Sequence, residues 1–149
     1  MEPVVHGPGE GERHDAGATQ IVVKATGEQT GGSFFLSEST LAPGFTGPAP
    51  HRHRELHDMF YVLEGTLTLR LDDRTIEAGP GTFVGVPPGV VHTFRNDSDG
   101  PVRVLNFNTP GGFEHYVRDL AEAAKSGPLT PDVIARAASR YDFDFDVGR

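Results

Sequence analysis

Residues 51–58 read HRHRELHD, which puts three histidines and an aspartate within eight positions of a 149-residue chain that has seven histidines in all. Imidazole nitrogens and carboxylate oxygens are donors that first-row divalent metals accept. Three imidazoles and one carboxylate leave coordination positions free for water or substrate. In an extended segment, residues i and i+2 share a face. Pro50 favours extended backbone, so His51 and His53 should project together, and Asp58 follows at the start of the next strand. His92, in the stretch PPGVVHTF, comes after a Pro-Gly turn and supplies a third imidazole. His51, His53, Asp58 and His92 are therefore expected to hold one divalent transition metal: Fe, Ni, Mn or Zn.

Two roles are open to Asp58, fourth ligand or catalytic base. Burial raises a carboxyl pKa and a neighbouring cation lowers it, so residue type alone does not choose between them. His57 precedes Asp58 in the same strand and should face the other way, beside the site and not in it. A metal-free barrel with histidines at its mouth is the alternative to a metal centre. There are no cysteines, which excludes disulfides, thiolate metal sites and a cysteine nucleophile.

The elements that must position these groups read as short strands. The chain carries 19 glycines and 12 prolines, a composition rich in turns. Strand signals fall at Thr19–Ala25, Ser33–Leu41, Met59–Leu63, Thr66–Leu71, Arg74–Glu77, Thr82–Val86, Val90–Arg95 and Val102–Asn108, each β-branched or aromatic and bounded by turn formers. Glu64-Gly65, Asp72-Asp73 and Asp97–Gly100 read as hairpin turns. This spacing predicts an all-β antiparallel barrel. Phe113–Lys125 has helical periodicity, and Thr130-Pro131 reads as an N-cap followed by proline in the first turn of a second helix ending near Tyr141. The expected organisation is a flexible arm over 1–17, the barrel over 18–110, and a helical extension packed on it over 111–149.

Strand parity also nominates a pocket. Phe60, Val62 and Phe94 share parity with Asp58 and His92 and should point inward; Phe34, Phe107 and Phe45 are further candidates for the cavity wall.

With these residues in place, the chain resembles the cupins, small antiparallel barrels that commonly hold one metal. Gly81, Pro87, Gly89, His92 and Asn96 match the family's second motif, Gly-x5-Pro-x-Gly-x2-His-x3-Asn. His51, His53 and Gly65 match the first, Gly-x5-His-x-His-x3–4-Glu-x6-Gly, with Asp58 where the family has glutamate and Gly44 one position early. Aspartate is one methylene shorter, a loss of about 1.5 Å of reach. The tail PGGFEHYVRDLAE looks like that of small cupins grouped with quercetin dioxygenase-like proteins. The resemblance implies a double-stranded β-helix of jelly-roll type, and a metal-dependent enzyme acting on a small organic molecule. It favours a dioxygenase, with a non-redox cyclase, isomerase or dehydratase of secondary metabolism, or a non-catalytic binding protein, as alternatives. It also implies a homodimer, with Thr19–Ala25, Tyr61 and Leu63 available for the contact.

The net charge of −8 argues against a nucleic-acid backbone or an anionic membrane surface as partner. No apolar run approaches the roughly 20 residues of a membrane span, and Met1–Glu12 lacks the basic-then-apolar pattern of a leader. A soluble, cytoplasmic protein is the expectation.

Overall fold

The strands Thr19–Ala25 (TQIVVKA) and Phe35–Leu41 (FLSESTL) bury every second residue, the pattern of a sheet with one face turned inward. The computed structural model of the protein describes residues 1–147; residues 148 and 149 of the expected extension lie outside the described residues. In chain order the strands are β1 (Glu12–Ala16), β2 (Thr19–Ala25), β3 (Phe35–Leu41), β4 (His57–Glu64), β5 (Leu67–Leu71), β6 (Arg74–Ala78), β7 (Phe83–Val86), β8 (His92–Arg95) and β9 (Val102–Thr109). The helices α1 (Phe113–Ser126) and α2 (Pro131–Ala138) follow. Six strands form one sheet in the order β1-β2-β3-β9-β4-β7, and three form a second in the order β6-β5-β8. All pairings between these strands are antiparallel.

The two sheets close on a shared core. Leu41, Phe60, Val62, Val84, Val86, Val102 and Val104 of the larger sheet meet Leu67, Leu69 and Ala78 of the smaller. Phe60, Val62, Leu67 and Leu69 are each at most 1% exposed, and burial of each contributes about 1.5–3 kcal/mol. Three strands do not cover six. On the inward face of β1, β2 and β3, Ala16, Ile21, Val23 and Phe35 pack on Val117, Phe113 and Leu120 of α1. The helix therefore takes the place of a second-sheet strand over that end. Its first turn is tied down by the buried Glu114 carboxylate, which accepts backbone N–H bonds from Gly27 (3.0 Å), Glu28 (3.1 Å) and Gly112 (3.2 Å). Thr130 caps α2 by accepting the Val133 N–H, with Pro131 in the first turn. No helix among the described residues is long and apolar enough to cross a membrane.

Four expectations change. Glu12–Ala16, assigned to the arm, is strand β1, paired with β2 from Glu12↔Val23 to Ala16↔Thr19 through a tight turn at Gly17-Ala18. It is polar because it is an edge strand with one face in water, which hides it from a hydrophobicity argument. β2 consequently lies between β1 and β3 and offers no free edge to a partner. Glu64-Gly65 and Asp97–Gly100 are not hairpin turns: β4 pairs with β7 and β9, and β5 with β6 and β8, so both connections carry the chain from one sheet to the other. Asp72-Asp73 does close a hairpin, β5 to β6. Local turn chemistry marks where the chain reverses but not which sheet it rejoins.

Candidate metal centre and cavity

His51 and His92 come from segments that pair with each other. Their backbones exchange both N–H···O bonds, at 3.1 and 2.8 Å, which brings HRH against the start of β8. His53 follows two residues on, on the same side. The three imidazoles are buried, at 2%, 2% and 0% exposure, and one ligand nitrogen of each lies within 4.8 Å of the others. The ring centroids of His51 are 4.9 Å from those of His53 and 4.5 Å from those of His92.

The tautomers are dictated by backbone. Nδ1 of His51 faces the Ala49 carbonyl at 2.9 Å, Nδ1 of His92 the Val90 carbonyl at 3.0 Å, and Nδ1 of His53 the Asp142 carbonyl at 2.6 Å. A carbonyl oxygen only accepts, so each Nδ1 carries the hydrogen and each neutral ring turns its Nε2 lone pair toward the cluster. Asp58, on the inward face of β4, adds an acceptor: its Oδ2 is 3.1 Å from His92 Nε2 and 3.6 Å from His53 Nε2. His53 Nε2 is buried with no hydrogen-bond partner among the described residues. Converging lone pairs and a carboxylate repel one another unless a cation stands among them, and nitrogen and oxygen donors of this kind suit Fe, Ni, Mn or Zn. The donor set fits a divalent metal.

The electrostatics of the site follow from burial and from Asp58. Burial pulls the His51 imidazole down to about 4, and the neighbouring His92 adds to the shift. Burial also opposes charge on His53, but the Asp58 carboxylate facing its Nε2 outweighs it, and the net direction is upward. Burial pushes the Asp58 carboxyl up, while the imidazoles of His53 and His92 held against its Oδ2, which stabilise the carboxylate when they carry a proton on Nε2, more than reverse this and hold it well below the usual carboxylate range.

A cavity of about 390 Å³ opens beside this cluster and reaches it at His51. Phe45, Phe60, Phe94, Phe113 and Phe143 give it aromatic walls, and Ser37, Ser39, Asn106 and Tyr116 are among its polar lining groups. Phe94 stands 5.2 Å from Phe60 and 5.7 Å from Phe45, ring to ring.

Of the nominated pocket residues, Phe60, Phe94 and Phe45 line this cavity. Val62 does not. It is fully buried between the sheets and packs in the core. Phe34 and Phe107 do not line it either. Their rings stack on each other at 5.4 Å, because Phe107 lies between the inward-facing Asn106 and Asn108 and so faces out, and Phe34 precedes the inward-facing Phe35. His57, expected beside the site, is exposed on the opposite face of β4 from Asp58.

Several residues near the site did not emerge from the motif spacing. Asn106 and Asn108 on β9 lie opposite Phe60 and Asp58 and donate to Asp58 Oδ1 at 2.8 and 2.7 Å. Two asparagines at alternate positions, on the inward parity of the strand VRVLNFNT, were the available signal. Asp142 and Phe143, 50 residues beyond His92 and more, carry no such signal, since the contact is made only by the tertiary fold.

The sequence profile of a family described as Cupin domain matches residues 37–108. The chain is 32% identical over 120 residues to quercetin 2,3-dioxygenase of Bacillus subtilis (strain 168), covering 80% of this chain and 35% of that protein. Among solved structures, the polyketide cyclase RemF from Streptomyces resistomycificus superposes with a TM-score of 0.61 at 29% identity, over 72% of this chain and 79% of that one. KdgF from Halomonas sp. superposes with a TM-score of 0.63 at 16% identity, over 76% of this chain and 97% of that one, a likeness of fold. The chain spans between 35% and 57% of the length of the curated relatives it matches.

Proposed function

We propose that this chain, whose residues 37–108 match a cupin domain, is a metal-dependent dioxygenase acting on a small, planar aromatic molecule bound in the cavity of about 390 Å³. The observation that carries this reading is the meeting of an aromatic-walled cavity with a buried three-histidine cluster at one residue, His51. The relationship to quercetin 2,3-dioxygenase supports the oxygenase class.

His51, His53 and His92 would hold the metal through Nε2, with Asp58 as a fourth donor or as a base. When bound, the metal supplies Lewis-acid polarisation of a substrate oxygen and, for Fe, Ni or Mn, one-electron chemistry with O2. The chain's own groups do the rest. Asp58 Oδ1 is engaged by two asparagine amides, so only Oδ2 faces the cluster and is available to accept a proton or stand against a cation. Its anionic form is the one these amides stabilise. Phe60 and Phe94 line the cavity with apolar rings that favour a flat aromatic substrate and exclude water.

A second reading, a non-redox cyclase, is favoured by the likeness to polyketide cyclase RemF over most of both chains. The two are separated by metal analysis of protein prepared without chelators, followed by O2 uptake with flavonol and polyketide-like substrates. Substrate-dependent O2 consumption with bound Fe, Ni or Mn supports the dioxygenase. Zn with product formed under anaerobic conditions moves the assignment to the cyclase. We also propose a homodimer. Tyr61 and Phe83 face each other across β4 and β7 and are 42% and 61% exposed on the outer surface. A monomer at micromolar concentration by light scattering would reject it.

A further inference from the structure

Two of the three imidazoles are oriented from within their own segments. The acceptors of His51 and His92 are the carbonyls of Ala49 and Val90, each two residues upstream. His53 differs: its acceptor is the carbonyl of Asp142, beyond α2. The same residue grips the ligand loop a second time. The Asp142 carboxylate accepts the backbone N–H groups of Arg54 (2.6 Å), Glu55 (2.8 Å) and Leu56 (2.9 Å). Two residues further on, Asp144 and Arg52 exchange both backbone hydrogen bonds, at 3.0 and 2.8 Å, and Arg52 Nε donates to Asp144 Oδ2 at 2.9 Å. Phe143, between them, turns inward. Its ring lies 5.0 Å from His51 and 4.9 Å from His53.

We infer that the segment Tyr141–Asp146 is a clamp that makes His53 competent as a ligand, with Asp142 as its positioning residue, so that metal binding and docking of the segment are one linked equilibrium. The inference rests on the metal-centre reading above. Imidazole can carry its hydrogen on either nitrogen, and only an acceptor at Nδ1 reserves the Nε2 lone pair for a metal. For His51 and His92 that acceptor comes with the local backbone. For His53 it arrives only when a segment 89 residues away is in place. With the segment undocked, the ring of His53 loses its fixed tautomer, and three loop N–H groups lose their acceptor. By linkage, whatever docking contributes to metal affinity, the metal returns to docking by the same factor.

A merely structural role is distinguishable. Phe143 also packs on Tyr116 and Ala138, so loosening the segment would lower the stability of the metal-free protein. It would not, for that reason alone, change the affinity of folded protein for metal. The test uses the full chain with zinc alone as probe. Zinc dissociation constants are measured by chelator competition for wild type, Asp142→Ala and Asp146→Ala. Amide hydrogen exchange of residues 141–147 is followed with and without zinc. Asp142→Ala keeps the backbone carbonyl that faces His53 Nδ1 but removes the carboxylate that holds three loop N–H groups against the segment, so that the carbonyl is no longer fixed at the ring and zinc binding is expected to weaken about 10- to 100-fold; Asp146→Ala should weaken it by less than about twofold, since Asp146 meets Arg52 through its carbonyl. Zinc should slow exchange across the wild-type segment. If Asp142→Ala does not fold, Asp142→Asn, which retains one side-chain oxygen acceptor, should show an intermediate loss. An Asp142 variant that folds and binds zinc as wild type does, or segment exchange unaffected by zinc, overturns the clamp while leaving the metal centre standing. A wild-type protein that binds no zinc, iron, nickel or manganese overturns the metal centre itself, and the clamp with it.

Discussion

Asn106 Nδ2 stands 2.8 Å from Asp58 Oδ1, and the same asparagine forms part of the cavity wall. It connects the carboxylate beside the histidine cluster to the space a substrate would occupy. Removing it in Asn106→Ala withdraws one of the two amide donors on Asp58. A hydrogen bond to a charged group is worth about 1.5–3 kcal/mol, so turnover of an oxidised substrate should fall about 10- to 100-fold. Metal content should be unchanged. Steady-state O2 uptake alongside elemental analysis checks both halves.

His53→Ala and His92→Ala should each abolish stoichiometric metal binding, because each removes a buried Nε2 from a cluster that has three imidazoles among the described residues. Asp58→Asn separates the two roles of the carboxylate. Loss of metal identifies a ligand, and retained metal with lost turnover identifies a base. Full metal in both histidine variants would mean the ligand assignment is wrong.

Ser37 lies on the inward face of β3, opposite Asn106, and lines the cavity. Ser37→Phe should fill part of that space while leaving the three histidines in place. KM for an aromatic substrate is expected to rise at least about tenfold, with metal affinity unaltered. An unchanged KM would show that the substrate binds elsewhere.

Gly44 and Gly47 both sit at positive φ, +81° and +71°, in the loop leading to His51. A Cβ at Gly44 meets nothing within 4 Å, so Gly44→Ala should cost about 1 kcal/mol, the strain of the left-handed backbone alone. At Gly47 the added carbon would overlap the Phe94 carbonyl oxygen, and Gly47→Ala should cost more than about 2 kcal/mol. Urea unfolding of the two variants, compared with wild type, measures the difference.

Glu12 of β1 takes two hydrogen bonds from Arg118 of α1, both 2.9 Å. These bonds hold its carboxyl down from 4.5 to about 2, against the opposing effect of desolvation. A depressed carboxylate stabilises the fold above its unfolded pKa and loses that contribution as pH falls. The window here runs from about 4.5 down to about 2. Its side chain is 38% exposed, and solvent screening reduces the contribution to about 1 kcal/mol. The stability gap between metal-free wild type and Glu12→Gln should therefore be about 1 kcal/mol at pH 6 and close to nothing at pH 2. A gap that persists at pH 2 would mean that the pair acts through packing and not charge.

Period-2 alternation and turn residues were enough to read most strands and the inward face carrying Asp58, Phe60 and His92, and helical periodicity with an N-cap was enough to read both helices, since those signals depend only on neighbours a few residues apart. The spacing of His51, His53 and His92 likewise marks a metal-type donor set in the sequence itself. What the tertiary structure alone decided is which segments meet. A polar edge strand such as β1 has no hydrophobic signature of its own. The turn at Glu64-Gly65 does not say which sheet the chain enters next. Phe107 follows strict alternation outward once Asn106 and Asn108 are fixed inward, and that choice belongs to the partner strands β3 and β4. The hydrogen bond from His53 to Asp142 joins residues 89 apart. No local propensity encodes it, because its two ends become neighbours only after the barrel has closed and the tail has folded back across it.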